Sequence, residues 1–300
     1  YTLLLVKKCV FFATEDGSGT GGRTWDDAFG TIQGAVDEAW EGCEIWVKQG
    51  TYTNPATDNS PVLTMKDGVK IIGGFQGYET YDHMNAGSRY RPENPIVHSV
   101  LDGEDMSYHV VVGALNKAAL DGFVVTGGNA VGANDEEKRG GGMYNKASYA
   151  YFSDYFVSNT IFVDNYAEYG GGAVYNEDFY EDPTYFYNCQ FQNNSSGDYG
   201  GAVLSINAGH ITYLESEFSG NSSNAGGAIS EKSSRSNLDK CIFKDNDSTT
   251  YGGALELSDL HTYELETQVF IVNSLFYDNS AGTLGGAISG GFEQLTIDHS

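Results

Sequence analysis

In the second half of the chain, apolar and polar positions alternate over short runs that break at a fixed pair of signatures. Phe162-x-x-Asn165, Phe191-x-x-Asn194, Phe218-x-x-Asn221, Phe243-x-x-Asn246 and Phe276-x-x-Asn279 are each followed by Gly-Gly-Ala. The glycine doublets are Gly171-Gly172, Gly200-Gly201, Gly226-Gly227, Gly252-Gly253 and Gly285-Gly286. Each Phe precedes its first Gly by 9, 9, 8, 9 and 9 residues, whereas that Gly precedes the next Phe by 20, 18, 17 and 24. All length variation therefore falls on one side of the unit. A unit of 25 to 33 residues is too short to bury its own apolar face, but similar units stacked about 4.8 Å apart share one continuous core. The pattern predicts an all-β fold, a single-stranded right-handed parallel β-helix.

Each signature residue has a physical task in such a coil. Two residues before each Phe stands Thr160, Cys189, Ser216, Cys241 or Ser274. These are small, and strand period two puts them on the Phe face. The Asn falls where the strand must turn. It tolerates left-handed backbone, and its amide can bond the Asn stacked above. The glycines supply permissive dihedrals at the next corner, and the Ala with Val174, Val203, Ile229, Leu255 or Ile288 opens another strand. Of that pair the aliphatic residue is expected to face inward. Cys189 and Cys241 share one repeat position two coils apart, about 9.6 Å, so they are expected to be free thiols in the core. Four scattered cysteines make no disulfide framework, and a pairing of Cys9 with Cys43 is possible but not expected.

The first half is less regular. Trp25, Ala28, Phe29, Ile32, Val36, Ala39 and Trp40 recur at three- and four-residue steps, with Thr24 and Asp27 as a capping pair and Gly42 beyond. This predicts one amphipathic helix that caps the open end of the solenoid. Residues 1–13 read as a strand, since Lys7 and Lys8 interrupt any membrane-spanning run. Short strands at 44–47, 69–72, 97–101, 109–112 and 122–126 read as early coils. The chain thus divides into a cap (1–50), irregular coils (51–150) and regular coils (151–300).

The segments GTYTNPA (50–56), KDGVKIIGGFQGYET (66–80), LDGFVVTGGNA (120–130) and GGGMYN (140–145) resemble the opening of bacterial right-handed β-helix repeat proteins of the pectin-lyase-like superfamily. The F-x-x-N and GGA[ILV] repeats resemble those of the polymorphic outer-membrane proteins, surface autotransporters whose passengers act as adhesins. Residues 1–300 hold no counterpart of the autotransporter barrel. The resemblance implies that Phe162, Asn165, Gly171, Gly172 and their equivalents are structural, and that the role is adhesion.

Composition narrows the partners. With 41 Asp and Glu against 16 Lys and Arg, the formal charge is -25. Such a chain repels nucleic acid and anionic membranes, so neither nucleic-acid binding nor direct membrane insertion is expected. Acidic, Gly-rich and aromatic composition suits a secreted or cell-surface protein. Ca²⁺ is compatible with it, but no D-x-D-x-D-G loop is present, and no metal ligand set is assigned. Beginning at Tyr1 rather than Met implies that a leading segment belongs elsewhere.

Lyase chemistry on this fold needs a base beside carboxylates. Two clusters offer basic groups, His83 with Arg89, Arg91 and His98, and Lys138 with Arg139 beside Asp135, Glu136 and Glu137. Both read as solvated loops, Ile297-Asp298-His299 reads as strand, and no catalytic residue is assigned. The variable side of the coil is the better functional clue, because repeat proteins often bind through such loops. It carries Tyr149, Tyr151, Phe152, Asp154 and Tyr155 in one coil, then Glu177, Asp178, Phe179, Tyr180, Glu181, Asp182 and Tyr185 in the next. Tyr151, Phe152, Tyr155, Phe179, Tyr180 and Tyr185 form the candidate binding face, able to stack on a glycan or anchor a protein ligand, or else to pack on one another. The sequons at Asn194, Asn221 and Asn246 coincide with buried ladder positions and are discounted as glycan sites.

Three roles follow: an adhesion or surface-display module, a subunit stacked end to end into an extracellular filament through residues 1–13, or a polysaccharide-binding or polysaccharide-degrading protein. A strand beginning at 294–297 leaves an open coil, so either more chain or another subunit is expected there.

Overall fold

A computed structural model describes residues 9–79, 98–114, 116–147, 155–178, 184–260, 265–291 and 294–300. Among them the strands form four parallel sheets that wind into a β-solenoid. A ten-stranded sheet runs from Val10–Ala13 through Glu44–Lys48, Lys70–Phe75, Ala119–Asp121, Tyr155–Ser158, Thr184–Tyr187, His210–Leu214, Arg235–Asp239 and Gln268–Val272 to Gln294–Asp298. The second sheet, of eight strands, carries the phenylalanines, and a third, also of eight, carries the residues after each Gly-Gly. A six-stranded corner sheet lies between those two.

The register explains the repeat. Phe162, Phe191, Phe218, Phe243 and Phe276 are successive partners across the phenylalanine sheet. Their rings stack at 5.2, 4.5, 4.7 and 4.6 Å, within 5° of parallel. Beside them Thr160, Cys189, Ser216, Cys241 and Ser274 are buried, and Cys189 and Cys241 remain free. The asparagines form the expected ladder: Asn165 Nδ2 donates to Asn194 Oδ1 at 3.0 Å, Asn194 to Asn221 at 3.1 Å, Asn221 to Asn246 at 2.9 Å and Asn246 to Asn279 at 2.8 Å.

Two details differ from expectation. The left-handed residue is the one before each Asn, namely Asp164, Asn193, Gly220, Asp245 or Asp278. The corner's strain is placed there, which leaves the Asn amide free to point inward. Both members of the Ala-aliphatic pair also lie in the main core, because Ala173, Ala202, Ala228 and Ala254 fill the corner just ahead of their strands. The glycines divide their task. Gly226 adopts φ +70°, and a Cβ on Gly227 would lie 2.2 Å from the Gly253 carbonyl of the next coil.

The cap departs further. The single helix resolves into a 3-10 turn, Trp25–Asp27, and a helix of seven residues, Ile32–Glu38. Thr31, not Thr24, is the cap, its hydroxyl accepting from the Gly34 amide at 3.1 Å. Between the 3-10 turn and the helix the backbone is extended at Ala28, and Phe29 bridges to Ala13 of the first strand, which interrupts the helical run, while Gly30 packs closely on Gly17. Cys9 and Cys43 form a disulfide, contrary to expectation. The reason is register: Val10 pairs with Glu44, which makes the two cysteines the preceding pair, with Cα atoms 4.5 Å apart.

Strand Val10–Ala13 also has both edges occupied. One pairs with Glu44–Lys48; on the other, Phe12 N donates to Gly22 O, and Phe29 N to Phe12 O, each at 2.9 Å. The described part of this strand thus carries backbone bonds on both sides, and residues 1–8 of the segment expected to dock on a neighbour lie outside the described residues. On the last described coils, Leu275, Leu284 and Ile297 are exposed.

Candidate binding face

Strand alternation decides which aromatics reach solvent. Along Tyr155–Ser158 and Thr184–Tyr187, Tyr155, Val157, Thr184 and Phe186 are buried, while Phe156, Tyr185 and Tyr187 point outward. Phe156 and Tyr185 are register partners, stacked at 4.6 Å and 10° from parallel. Phe156 is 43% exposed and Tyr187 42%, so this is an aromatic platform on the outer face of the ten-stranded sheet. On the next strand toward the cap, the partner of Phe156 is only Ala119, whose own neighbour is Lys70. The missing side-chain volume opens a recess of about 520 Å³ beside the ring, lined by Lys70, Ile72, Lys117, Asp121, Phe156 and Ser158.

The polar rim is held in place. Asn188 Nδ2 donates to Asn159 Oδ1 at 2.8 Å, and Asn159 Nδ2 to Asp121 Oδ1 at 2.6 Å. Lys117 and Glu41, both exposed, lie 3.7 Å apart, a pair that solvent leaves weak and easily opened. The recess thus offers an aromatic wall, an aliphatic floor and both signs of charge, the means by which proteins bind sugars or polar protein loops.

Of the residues singled out from sequence, Tyr185 lies on this platform. Tyr155 does not: it is 1% exposed, and its hydroxyl rests 3.1 Å from Met65 Sδ, inside the core. Tyr151, Phe152, Phe179 and Tyr180 lie outside the described residues, as do Tyr149, Asp154, Glu181 and Asp182. Glu177 and Asp178 are engaged, Glu177 with Lys146 at 3.2 Å and Asp178 as acceptor from Asn207 at 2.8 Å. Phe156 and Tyr187 were missed, because alternation counted back from Phe162 and Phe191 is reset at the left-handed residues Asn159 and Asn188.

The basic clusters divide likewise. His83, Arg89 and Arg91 lie outside the described residues. Arg139 is not solvated: its guanidinium lies over the Tyr169 ring at 4.7 Å and donates to the Tyr175 hydroxyl at 2.9 Å. It pins a small outer cluster built on Tyr144, Tyr175, Leu204 and Ile206. His109 stacks on Tyr144 at 4.7 Å, and burial pushes its pKa below the usual histidine range. Lys138 pairs with Glu168 at 2.9 Å. Ile297 and Asp298 lie in the last described strand, as read, whereas His299 lies just beyond it with a positive φ. Among the described residues no three His, Cys, Asp or Glu side chains gather as metal ligands do.

Comparison with known proteins places two coils. Residues 159–177 and 188–206 match the Chlamydia polymorphic membrane protein repeat, each match spanning the F-x-x-N turn, the Gly-Gly-Ala corner and the strand after it. No curated protein matches the chain. Among solved structures, a pectin methylesterase from Aspergillus niger aligns over 97% of this chain and 84% of its own, at 13% identity and a TM-score of 0.42.

Proposed function

We propose that this chain, a β-solenoid carrying polymorphic membrane protein repeats, is an adhesion module of a surface-displayed passenger. Contact is made by the outer face of the ten-stranded sheet at the Phe156 platform. The observation that carries this reading is the exposed stack of Phe156 on Tyr185 beside a recess with charged rim groups. Exposed aromatic pairs on a rigid sheet present a large contact area with few rotamers to order, so a glycan or a protein loop can be held there at small entropic cost.

The cysteines are consistent with an exterior location. A disulfide between Cys9 and Cys43 persists in oxidising surroundings. Burial pushes the Cys189 and Cys241 thiols up to about 12, so they are inert to exchange there. A filament built head to tail is the weaker reading, because the cap already covers the outer edge of strand Val10–Ala13.

The test is a triple variant, Phe156→Ser with Tyr185→Ser and Tyr187→Ser, probed with the wild type on glycan and protein ligand arrays. These side chains lie outside the core, so the thermal midpoint should stay within a few degrees. Binding to any ligand the wild type retains should fall at least about tenfold, as for loss of a hot spot worth about 1.4 kcal/mol. Undiminished binding by a folded variant would rule out this face.

A further inference from the structure

One column on the inner side of the Gly-Gly-Ala sheet is polar. Asn145, Asn176, Ser205 and Glu231 are register partners on successive strands, and each is buried to 2% exposure or less. They alternate with Tyr144, Tyr175, Leu204 and Ser230, so they share the inward face of Met143, Val174, Val203 and Ile229. Asn145 Nδ2 donates to Asn176 Oδ1 at 3.0 Å. Farther along, neither Glu231 oxygen, nor Ser205 Oγ, nor Ser236 Oγ and the Tyr213 hydroxyl on the ten-stranded sheet, has a well-formed hydrogen bond. The hydroxyls of Ser205 and Ser236 nonetheless act on the Glu231 carboxyl, and Tyr213 feels its charge. Leu257, the next register partner, closes the column with a buried apolar side chain.

Among the described residues no positive charge balances this carboxyl. Lys232 follows it on the strand but faces outward, its Nζ 3.1 Å from the centroid of the Tyr199 ring. Arg235 lies on the outer side of its strand, since Ser236 and Leu238 are the buried positions there. Glu256, the other group that acts on Glu231, has the same sign and accepts from Ser230 Oγ at 2.6 Å. Among the described residues, Tyr213 packs on the rings of Phe186, Phe191 and Phe218, and the other titratable groups that act on it are the buried Cys189 and Cys241 thiols. An ionised carboxylate in this place would be a buried charge without a partner, the costliest state a side chain can hold.

We propose that Glu231 is folded into the coil as a neutral carboxylic acid, its proton shared with the surrounding hydroxyls, and that it forms a base-sensitive latch on the coils around residues 203–258. In acid, Glu231 donates one hydrogen bond and accepts others from Ser205, Ser236 or Tyr213, and the column is satisfied. In alkali, it must either hold an unpaired charge or open the coil to water.

The sign follows from linkage. Burial pushes the Glu231 pKa from the ordinary 4.5 to about 8. Between those limits the folded chain holds one proton more than the unfolded chain. The latch is therefore complete below about 4.5 and is lost as pH rises through about 8. This is opposite to a salt-bridged carboxylate, whose contribution is lost in acid.

The experiment is equilibrium unfolding of the full 300-residue chain and its Glu231→Gln variant at pH 5, 6.5 and 8.5. Glutamine keeps the shape and has no proton to lose, and the effect of the other acids cancels in the comparison. The ratio of wild-type to variant unfolding constants should rise by about tenfold per pH unit across this range, flattening near 8. A ratio independent of pH would overturn the proposal. Should the variant fail to fold, hydrogen exchange on the wild type decides. Amides of Val203–Ile206 and Ile229–Lys232 should lose protection from pH 6 to 8.5 relative to those of Ile161–Val163. Equal behaviour of the three strands would refute the latch.

Discussion

At the scale of single residues, the asparagine at the turn is the most exacting choice in the coil. Asn221 Nδ2 donates to the Phe191 carbonyl and to Asn246 Oδ1, both at 2.9 Å, while its own Oδ1 accepts from Asn194 N at 3.0 Å and Asn194 Nδ2 at 3.1 Å. Asn221→Ala removes every one of these bonds and leaves buried partners unsatisfied, at a cost of about 3 kcal/mol in denaturant unfolding. Asn279 is in the last such turn, and Asn279→Ala should cost about 1 kcal/mol, because a less buried partner set has water to turn to. Equal losses at the two positions would mean that the ladder is not a chain of mutually dependent bonds. These residues were legible in the sequence because an Asn at a fixed distance from each Phe is suited to bond along the stack, although the left-handed turn itself falls one residue earlier. Tyr155 was not. The left-handed corner at Asn159 resets which side of the chain faces inward, so alternation counted back from Phe162 does not carry through to Tyr155 and Phe156.

At the scale of elements, the Phe stack and the cap are built on different principles. The stack is repetitive, and each ring is held by the one before it, so its position could be read from spacing alone. The cap is made of unique contacts. Gly30 meeting Gly17, Thr31 capping a short helix and Cys9 meeting Cys43 all depend on which strand lies beside which, information that no periodicity carries. The disulfide ties strand Val10–Ala13 to Glu44–Lys48 across a separation of 34 residues. By the chain-entropy account such a closure stabilises by about 4 kcal/mol. Reduction, or the double variant Cys9→Ser with Cys43→Ser, should therefore lower the thermal midpoint by several degrees. The other two cysteines are free thiols with no bond for a reductant to cleave, so it acts at the cap alone. An unchanged midpoint would show that the cap is held by its aromatic cluster of Phe12, Trp25, Trp46 and Phe75 instead.

At the scale of the whole molecule, the solenoid has a closed first end and one distinctive face. The cap closes the first end by backbone hydrogen bonds and a disulfide, while Leu275, Leu284 and Ile297 are exposed on the last described coils. Between them the outer face of the ten-stranded sheet presents the Phe156 platform, and the inner column hides Glu231. Each of these depends on the coils being stacked in register, which fixes distances between residues far apart in sequence. Ile161 and Leu275 are four steps apart on the phenylalanine sheet, a rise of about 19 Å. Spin labels at Ile161→Cys and Leu275→Cys, with the native free thiols buried and unreactive, measure that rise by electron-electron double resonance. The account predicts one narrow distribution near 20 Å, broadened only by the label arms. A distance beyond about 35 Å, or a broad spread without a maximum, would contradict the stacked register on which the platform and the latch both stand.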